Sequence, residues 1–445
     1  MGRDGRAMDR NTHKRVGKSS ALLAALGLIF TSAATLLGSS AATAQSPGPR
    51  VGIVCTEGAK PSPSSTSPVF NLTTKTGYIS LPDANTAFMW GYSSGFDGFQ
   101  HPGPVLCVDQ GDTVTVILHN TLPEAASVLF PGQENVQANG LPAEPQFNGG
   151  GVMTSLTDTA GANGGSITYS FVASDPGTFL YESGTNPEKQ VRMGLFGALI
   201  VRPTMGEGFA YNRSDSEFTP SEEFMVLLSE IDPYQHQAVE QGKSFNMNSY
   251  HPRYWLINGR GFPDSIADNF ASWLPNQPYG ALAEVTEFNA STHPLPGIAR
   301  YLNVGSEDYP FHPHGNNGLV IGRDGRPLEG AGGQDLSFEK FAINIGPGQT
   351  WDVLFRWYDA EHYSTSNPVP VTVPGLANQE IGMFYSGSPY LGESETLPPG
   401  IQTLNQCGEY YIISHNHALY QITSWGAMMT GPVTYMRIDP PQPCS

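Results

Sequence analysis

The chain has 445 residues, only 14% of them charged, with Gly 51 and Pro 37 plentiful and a formal net charge of -18. That length exceeds one ordinary domain and suits two or three. The acidity excludes a nucleic-acid partner, because phosphate binding needs a basic face; as a bulk property it serves solubility.

The N-terminus reads as an export signal. Arg10, Lys14, Arg15 and Lys18 precede an apolar run from Ala21 to Leu37, and Ala42-Thr43-Ala44 offers a cleavage site before Gln45. Residues 1–44 are therefore expected to be a signal peptide for a periplasmic or extracellular protein. The alternative is an uncleaved anchor, since the apolar run nears the length that spans a bilayer. No later stretch is apolar enough to span, so no membrane span is expected after signal cleavage. Cys55, Cys107, Cys407 and Cys444 make an even count, which in an exported chain reads as two disulfides. Of the three connectivities, Cys55–Cys107 with Cys407–Cys444 keeps each bridge within one domain.

Residues 45–66 are rich in Pro, Ser and Thr and read as a flexible lead-in. From Val69 the pattern changes. Gly111-Asp112-Thr113-Val114-Thr115-Val116-Ile117-Leu118 alternates polar and apolar, as does Ser166-Ile167-Thr168-Tyr169-Ser170-Phe171; both predict half-buried strands. Residues 177–181 and 197–201 supply two more. Turn residues punctuate the gaps, as in a sandwich or small barrel. A first domain over 67–203, a polar linker over 204–220 and a second all-β domain over 221–445 follow. In the second, strands are predicted at 224–228, 283–288, 299–304, 341–345, 351–357, 410–414 and 433–438. The segment from Asp359 to Asn405 is long and proline-rich, either a lid-like loop or a plain surface insertion.

Two short stretches carry chemistry. Tyr309-Pro310-Phe311-His312-Pro313-His314-Gly315-Asn316 and Ser414-His415-Asn416-His417 each hold a His-x-His pair at the end of a strand-like run. On an extended chain residues i and i+2 point to one side, so each pair aims two imidazoles at one point. A lone pair of this kind is more often two ordinary loop histidines. Four of the eleven histidines falling in two such tripeptides favour a metal site of His312, His314, His415 and His417. Copper is the first choice and zinc the alternative. His236, His251, His293 and His362 are expected at the surface or as caps, and His119 at a strand end facing solvent. Met428 and Met429 are expected to pack in the core. Tyr309, Tyr420 and Trp425 are expected as aromatic packing around the pairs, with a redox or substrate-facing role as the alternative.

Further motifs give the chain a family likeness. Residues 168–171, Pro176-Gly177-Thr178-Phe179-Leu180-Tyr181 and Gly194-Leu195-Phe196-Gly197-Ala198-Leu199-Ile200-Val201 come first. Ile257-Asn258-Gly259-Arg260, Arg300-Tyr301-Leu302-Asn303, Gly322-Arg323-Asp324-Gly325 and Gly346-Pro347-Gly348-Gln349 follow in order. With the histidine pairs, they make the chain resemble the multicopper oxidases over most of residues 67–441. The resemblance implies an all-β protein of two cupredoxin-type Greek-key barrels. In that family, four His-x-His pairs hold three coppers, and two histidines and a cysteine hold a blue copper. His312 and His314 fit the pair in the His-x-x-His-x-His motif; His415 and His417 fit the pair in His-Cys-His.

The other family positions differ. Tyr309 stands at the first blue-copper histidine, Asn416 at the cysteine and Gln421 at the second histidine. A blue copper needs a thiolate, so it is expected to be absent. His-Trp-His-Gly aligns with Leu129-Phe130-Pro131-Gly132, and Tyr-His-Ser-His with Tyr181-Glu182-Ser183-Gly184, which leaves only Glu182 as a first-domain donor. The expected function is that of an exported copper-dependent oxidoreductase with an incomplete, blue-copper-less site, using a small-molecule or metal-ion reductant. The alternative is a non-catalytic metal-binding or scaffold protein of the cell envelope. The resemblance also implies a homotrimer, in which Glu182 would face a neighbour's histidines.

Overall fold

The computed structural model describes residues 49–358, 369–372, 402–405 and 410–440. The signal-peptide expectation, both Cys407 and Cys444, and most of the 359–405 segment lie outside them. Within that segment, Val369–Thr372 pairs antiparallel with Gln402–Asn405.

Two pairs of sheets build the molecule. In the first pair, a four-stranded sheet runs in the order Cys55–Glu57, Val105–Asp109, Phe196–Arg202, Gly177–Glu182. A six-stranded sheet runs Thr86–Ser94, Val69–Ser80, Thr113–Asn120, Gly165–Val172, Gln137–Ala138, Leu141–Pro142. Parallel pairings join Val69–Ser80 to Thr113–Asn120, and Val105–Asp109 to both Phe196–Arg202 and Cys55–Glu57; the strands Thr113–Asn120 and Gly165–Val172, and Gly177–Glu182 and Phe196–Arg202, pair antiparallel. The two expected alternating strands alternate in burial as well: Val114, Val116 and Leu118 face inward, as do Ile167, Tyr169 and Phe171.

Strands without alternation lie deeper. Phe196 to Val201 are all buried, and so is every residue of Glu223–Ile231. The reason is that the outer face of the four-stranded sheet is covered. Val105, Cys107, Leu180, Ala198 and Ile200 pack on Met225, Leu227, Leu302 and Val304 of the second sheet pair. A strand buried on both faces reads as a continuous apolar run.

The second pair comprises a nine-stranded sheet centred on Gly297–Asn303 and Glu223–Ile231, and a five-stranded sheet. The five-stranded sheet is ordered Ala283–Thr286, Val433–Asp439, Tyr410–Asn416, Tyr309–Pro313, Ile343–Ile345. Between the two sheets lies a core that includes Phe224, Tyr301, Phe311, Val353 and Ile438. No helix among the described residues is long and apolar enough to cross a membrane.

Three expectations change. The lead-in is ordered from residue 49. Cys55–Glu57 pairs parallel with Val105–Asp109, and the Cys55–Cys107 disulfide ties that strand down. Composition pointed to flexibility, but the crosslink and ladder override it. The polar 204–220 segment is packed: Ala210, Tyr211 and Phe218 are buried against Ile298, Ile321 and Leu354. His236 is buried rather than at the surface. It lies in the helix Pro233–Glu240, and its Nδ1 donates to the Phe88 carbonyl at 2.7 Å.

A buried charge network holds the two sheet pairs together. The Arg202 guanidinium donates to both Glu223 carboxylate oxygens, at 2.6 and 2.7 Å. Arg300 donates to Glu223, to Asp352 at 3.1 Å and to the Thr178 hydroxyl at 2.9 Å. Tyr211 and Thr178 donate to Asp352 at 2.5 and 2.6 Å. Thr178 and Arg202 belong to the first sheet pair, and Glu223, Arg300 and Asp352 to the second.

Candidate metal centre

The strands Tyr309–Pro313 and Tyr410–Asn416 lie antiparallel, with His312 directly opposite His415. The ladder continues past both ends: the His314 amide donates to the Ile413 carbonyl and the His417 amide to that of Pro310. In this register 312, 314, 415 and 417 share one face. Tyr309, Phe311 and Pro313 turn the other way and are buried. Pro313 adds a fixed φ between its two histidines.

The four rings form one cluster. Ring centres lie 4.7 Å apart for His312–His314, 5.0 Å for His314–His415, 5.3 Å for His312–His417 and 5.5 Å for His415–His417. His415 is buried, His312 and His314 are half-buried, and His417 is exposed.

Hydrogen bonds fix the tautomers of two rings. The His312 Nδ1 lies 2.7 Å from the Phe341 carbonyl and the His415 Nδ1 lies 2.8 Å from the Asn416 carbonyl. A carbonyl only accepts, so each Nδ1 carries the proton and each Nε2 keeps its lone pair. This is the tethering that orients metal-binding histidines. Burial, and then the neighbouring imidazoles, lower the His314 pKa to about 4; burial is the leading cause of the lowered His415 value. Both rings are neutral at pH 7, the form that binds a metal.

The His314 and His415 Nε2 atoms are 3.0 Å apart. Since His415 Nε2 is an acceptor, His314 supplies the proton between them. A metal held by His314 and His415 would take the place of that proton, since both nitrogens already face one another. Among the described residues no three His, Cys, Asp or Glu side chains already surround one point. The donor chemistry of the four imidazoles would suit copper.

Comparison with known proteins bears on the fold and the metal. The family model for multicopper oxidases matches residues 83–206. An L-ascorbate oxidase of Cucurbita maxima is 31% identical over 201 residues, covering 43% of this chain and 30% of that one. The putative laccase-5 of Oryza sativa subsp. japonica is 24% identical over 257 residues, covering 57% and 40%. The chain thus spans less than half the length of these curated relatives. A blue copper oxidase from Nitrosomonas europaea superposes with a TM-score of 0.55 at 18% identity, over 84% of this chain and 86% of that one.

The chain is related to the multicopper oxidases. Its fold is theirs, all-β and cupredoxin-type, and copper is the metal the relationship implies.

The residues that the sequence resemblance sets at the blue-copper positions lie in a polar network. Tyr309 is fully buried, and its hydroxyl donates to Glu230 Oε2 at 2.5 Å. Asn416 donates to Gln421 Oε1; Gln421 Nε2 donates to Glu307 at 2.7 Å and to the Asp308 carbonyl at 3.2 Å. Trp255 Nε1 also donates to Glu307, at 2.8 Å. Sequence reasoning missed Glu230 and Glu307. Glu307 stands two residues before Tyr309 and was within reach; nothing local pointed to Glu230, 79 positions away.

The segments aligned with the first-domain ligands do meet. Leu129 and Glu182 exchange backbone hydrogen bonds of 2.7 and 3.1 Å. Phe130 is core, the Tyr181 hydroxyl donates to the Pro104 carbonyl at 2.7 Å, and Ser183 donates to Gln190 at 2.6 Å. Glu182 is half-buried and makes no hydrogen bond to the four histidines; burial pushes its carboxyl up to about 7.

Met429 is buried as expected, but Met428 is 64% exposed, opposite Thr423 in a two-strand hairpin. Tyr420 and Trp425 are exposed too, so of these three aromatics only Tyr309 is buried.

Proposed function

We propose that this is an exported, multicopper-oxidase-like copper protein, acting as a copper-dependent oxidoreductase without a blue copper. One observation carries the reading: four imidazoles on one face of two adjacent strands, two of them tethered through Nδ1. His312, His314, His415 and His417 would hold the metal in the second of two barrel domains, 67–203 and 221–445. When bound, copper supplies one-electron chemistry and an open position for a small-molecule or metal-ion reductant. The carbonyls of Phe341 and Asn416 hold two rings in the binding tautomer. Neutral His314 and His415 rings at pH 7 remove competition from protons at those two nitrogens. Oxygen reduction in the family's manner lies outside this reading, because no histidine stands in Leu129-Phe130-Pro131-Gly132 or Tyr181-Glu182-Ser183-Gly184, the segments aligned with the family's first-domain ligands. A homotrimer placing Glu182 beside a neighbour's histidines belongs to the same reading, and solution scattering of a monomer would remove it.

The polar network around Tyr309, Asn416 and Gln421 favours a second reading, a non-catalytic metal-binding or scaffold protein of the cell envelope. The test is metal analysis of the purified mature protein with copper EPR, in the parent and in His415→Ala. Bound copper that His415→Ala releases supports the site, and turnover of a phenolic or metal-ion reductant then supports the enzyme. Bound copper without turnover leaves the second reading. No copper above background removes the site.

A further inference from the structure

We propose that Tyr309 and Glu230 form a proton-coupled one-electron redox pair. The phenol is fully buried and gives its only proton to Glu230 Oε2 at 2.5 Å. Glu230 is 4% exposed. Its other oxygen accepts from the Ser306 amide at 2.6 Å, the Ser306 hydroxyl at 2.7 Å and the Tyr250 hydroxyl at 3.3 Å. The Ser306 amide can only donate, and the three hydroxyls are placed to donate as well, so the carboxylate serves as the acceptor of the group. Gly305 permits this closeness: a Cβ there would run into Glu230 Oε2.

A buried tyrosine without a base cannot be oxidised readily, because the radical cation has nowhere to send its proton and a buried unpaired charge is costly. Here the step balances. One electron leaves the Tyr309 ring for an outer-sphere one-electron acceptor. The phenolic O–H bond breaks and its proton crosses to Glu230 Oε2. The products are a neutral phenoxyl radical and a neutral carboxylic acid, and no new charge is left in the interior. Short charge-assisted hydrogen bonds of this kind set up such a transfer without rearrangement.

The pair also has an outlet and an inlet. Tyr309 and His312 lie on one strand, about 10 Å apart at the rise of an extended chain. On the other side, Trp255 and Glu307 lead outward to Tyr420. The Trp255 and Tyr420 rings meet edge to face at 5.6 Å, and Tyr420 is 59% exposed. Passing the electron to a metal on the histidines rests on the reading above; the redox pair itself does not.

The test therefore uses the full mature chain stripped of metal. It is oxidised with hexachloroiridate(IV), freeze-quenched and examined by EPR and proton ENDOR. The expected result is a tyrosyl radical with one exchangeable proton coupled to the phenoxyl oxygen. The signal is expected to vanish in Tyr309→Phe, which keeps the ring in the core, and to persist in Tyr420→Phe. Glu230→Gln is expected to abolish it as well; where that variant fails to fold, the ENDOR coupling reports the same proton. No radical in the parent, or an unchanged radical in Tyr309→Phe, overturns the proposal. A radical without the exchangeable coupling overturns the role of Glu230. Failure of copper to bind in a separate sample would touch only the metal-site reading.

Discussion

Replacing Arg300 by Met tests whether the buried charge network holds the two sheet pairs together. Arg300 is 1% exposed and ties Glu223 to Asp352, while the methionine roughly fills its stem and removes the guanidinium. Breaking a buried pair by removing one partner costs about 3–5 kcal/mol, because the other charge is left uncompensated. Two features place this case near the lower end. Glu223 keeps both hydrogen bonds from Arg202, and Asp352 keeps those from Tyr211 and Thr178. The expected loss is about 3 kcal/mol, read from urea unfolding at pH 7.

The acid limb supplies a second readout. Burial pushes the Glu223 carboxyl up, but Arg300 and Arg202 more than offset this and hold it below its ordinary value of 4.5. That contribution is present above pH 4.5 and is lost as the pH falls through the lower folded value. In Arg300→Met the acid loss should begin at higher pH. A loss below about 1 kcal/mol, the size of a surface pair, with an unmoved acid limb would refute the reasoning.

Other outcomes follow from single residues. His101 is buried with neither ring nitrogen hydrogen-bonded, and burial, then His236, lowers its pKa from 6.5 to about 3. The folded chain therefore favours the neutral ring; stability is full above pH 6.5 and falls as the pH drops toward 3, by on the order of 4 kcal/mol at most. His101→Gln should flatten that limb in acid-unfolding curves, and an unchanged curve counts against it. Glu182 has the opposite sign: its carboxyl is raised from 4.5 to about 7, so stability is lost as the pH rises through that range. Glu182→Gln should stabilise the protein at pH 8 by about 1–2 kcal/mol, discounted for its partial exposure, and thermal melts at pH 5 and pH 8 check it. Reducing Cys55–Cys107, whose cysteines are 52 positions apart, should cost about 4 kcal/mol by loop entropy and free the strand Cys55–Glu57 to exchange hydrogen.

Strands with one wet face were legible because alternation is a local pattern. Thr113–Asn120 and Gly165–Val172 announced themselves that way. Tyr254–Ile257 and Thr86–Ser94 did not, since they are buried almost throughout and carry no period to read. The His-x-His pairs were legible for the same reason: two residues on one side of a strand need no tertiary knowledge. The expectation that no blue copper is present was read the same way, from residue types at Tyr309, Asn416 and Gln421 alone.

What those residues meet in space was not visible. Glu230 reaches Tyr309 from a strand 79 positions away, and Arg202, Arg300 and Asp352 converge from both sheet pairs. The sequence alone determined the two histidine pairs, the strand periodicity and the residue types at Tyr309, Asn416 and Gln421, since each is a matter of residue type and spacing along one segment. Only the tertiary structure decided that His312 faces His415, that a carboxylate receives the Tyr309 proton, and that the lead-in is pinned. Those are pairings between segments distant in sequence, set by strand register and burial.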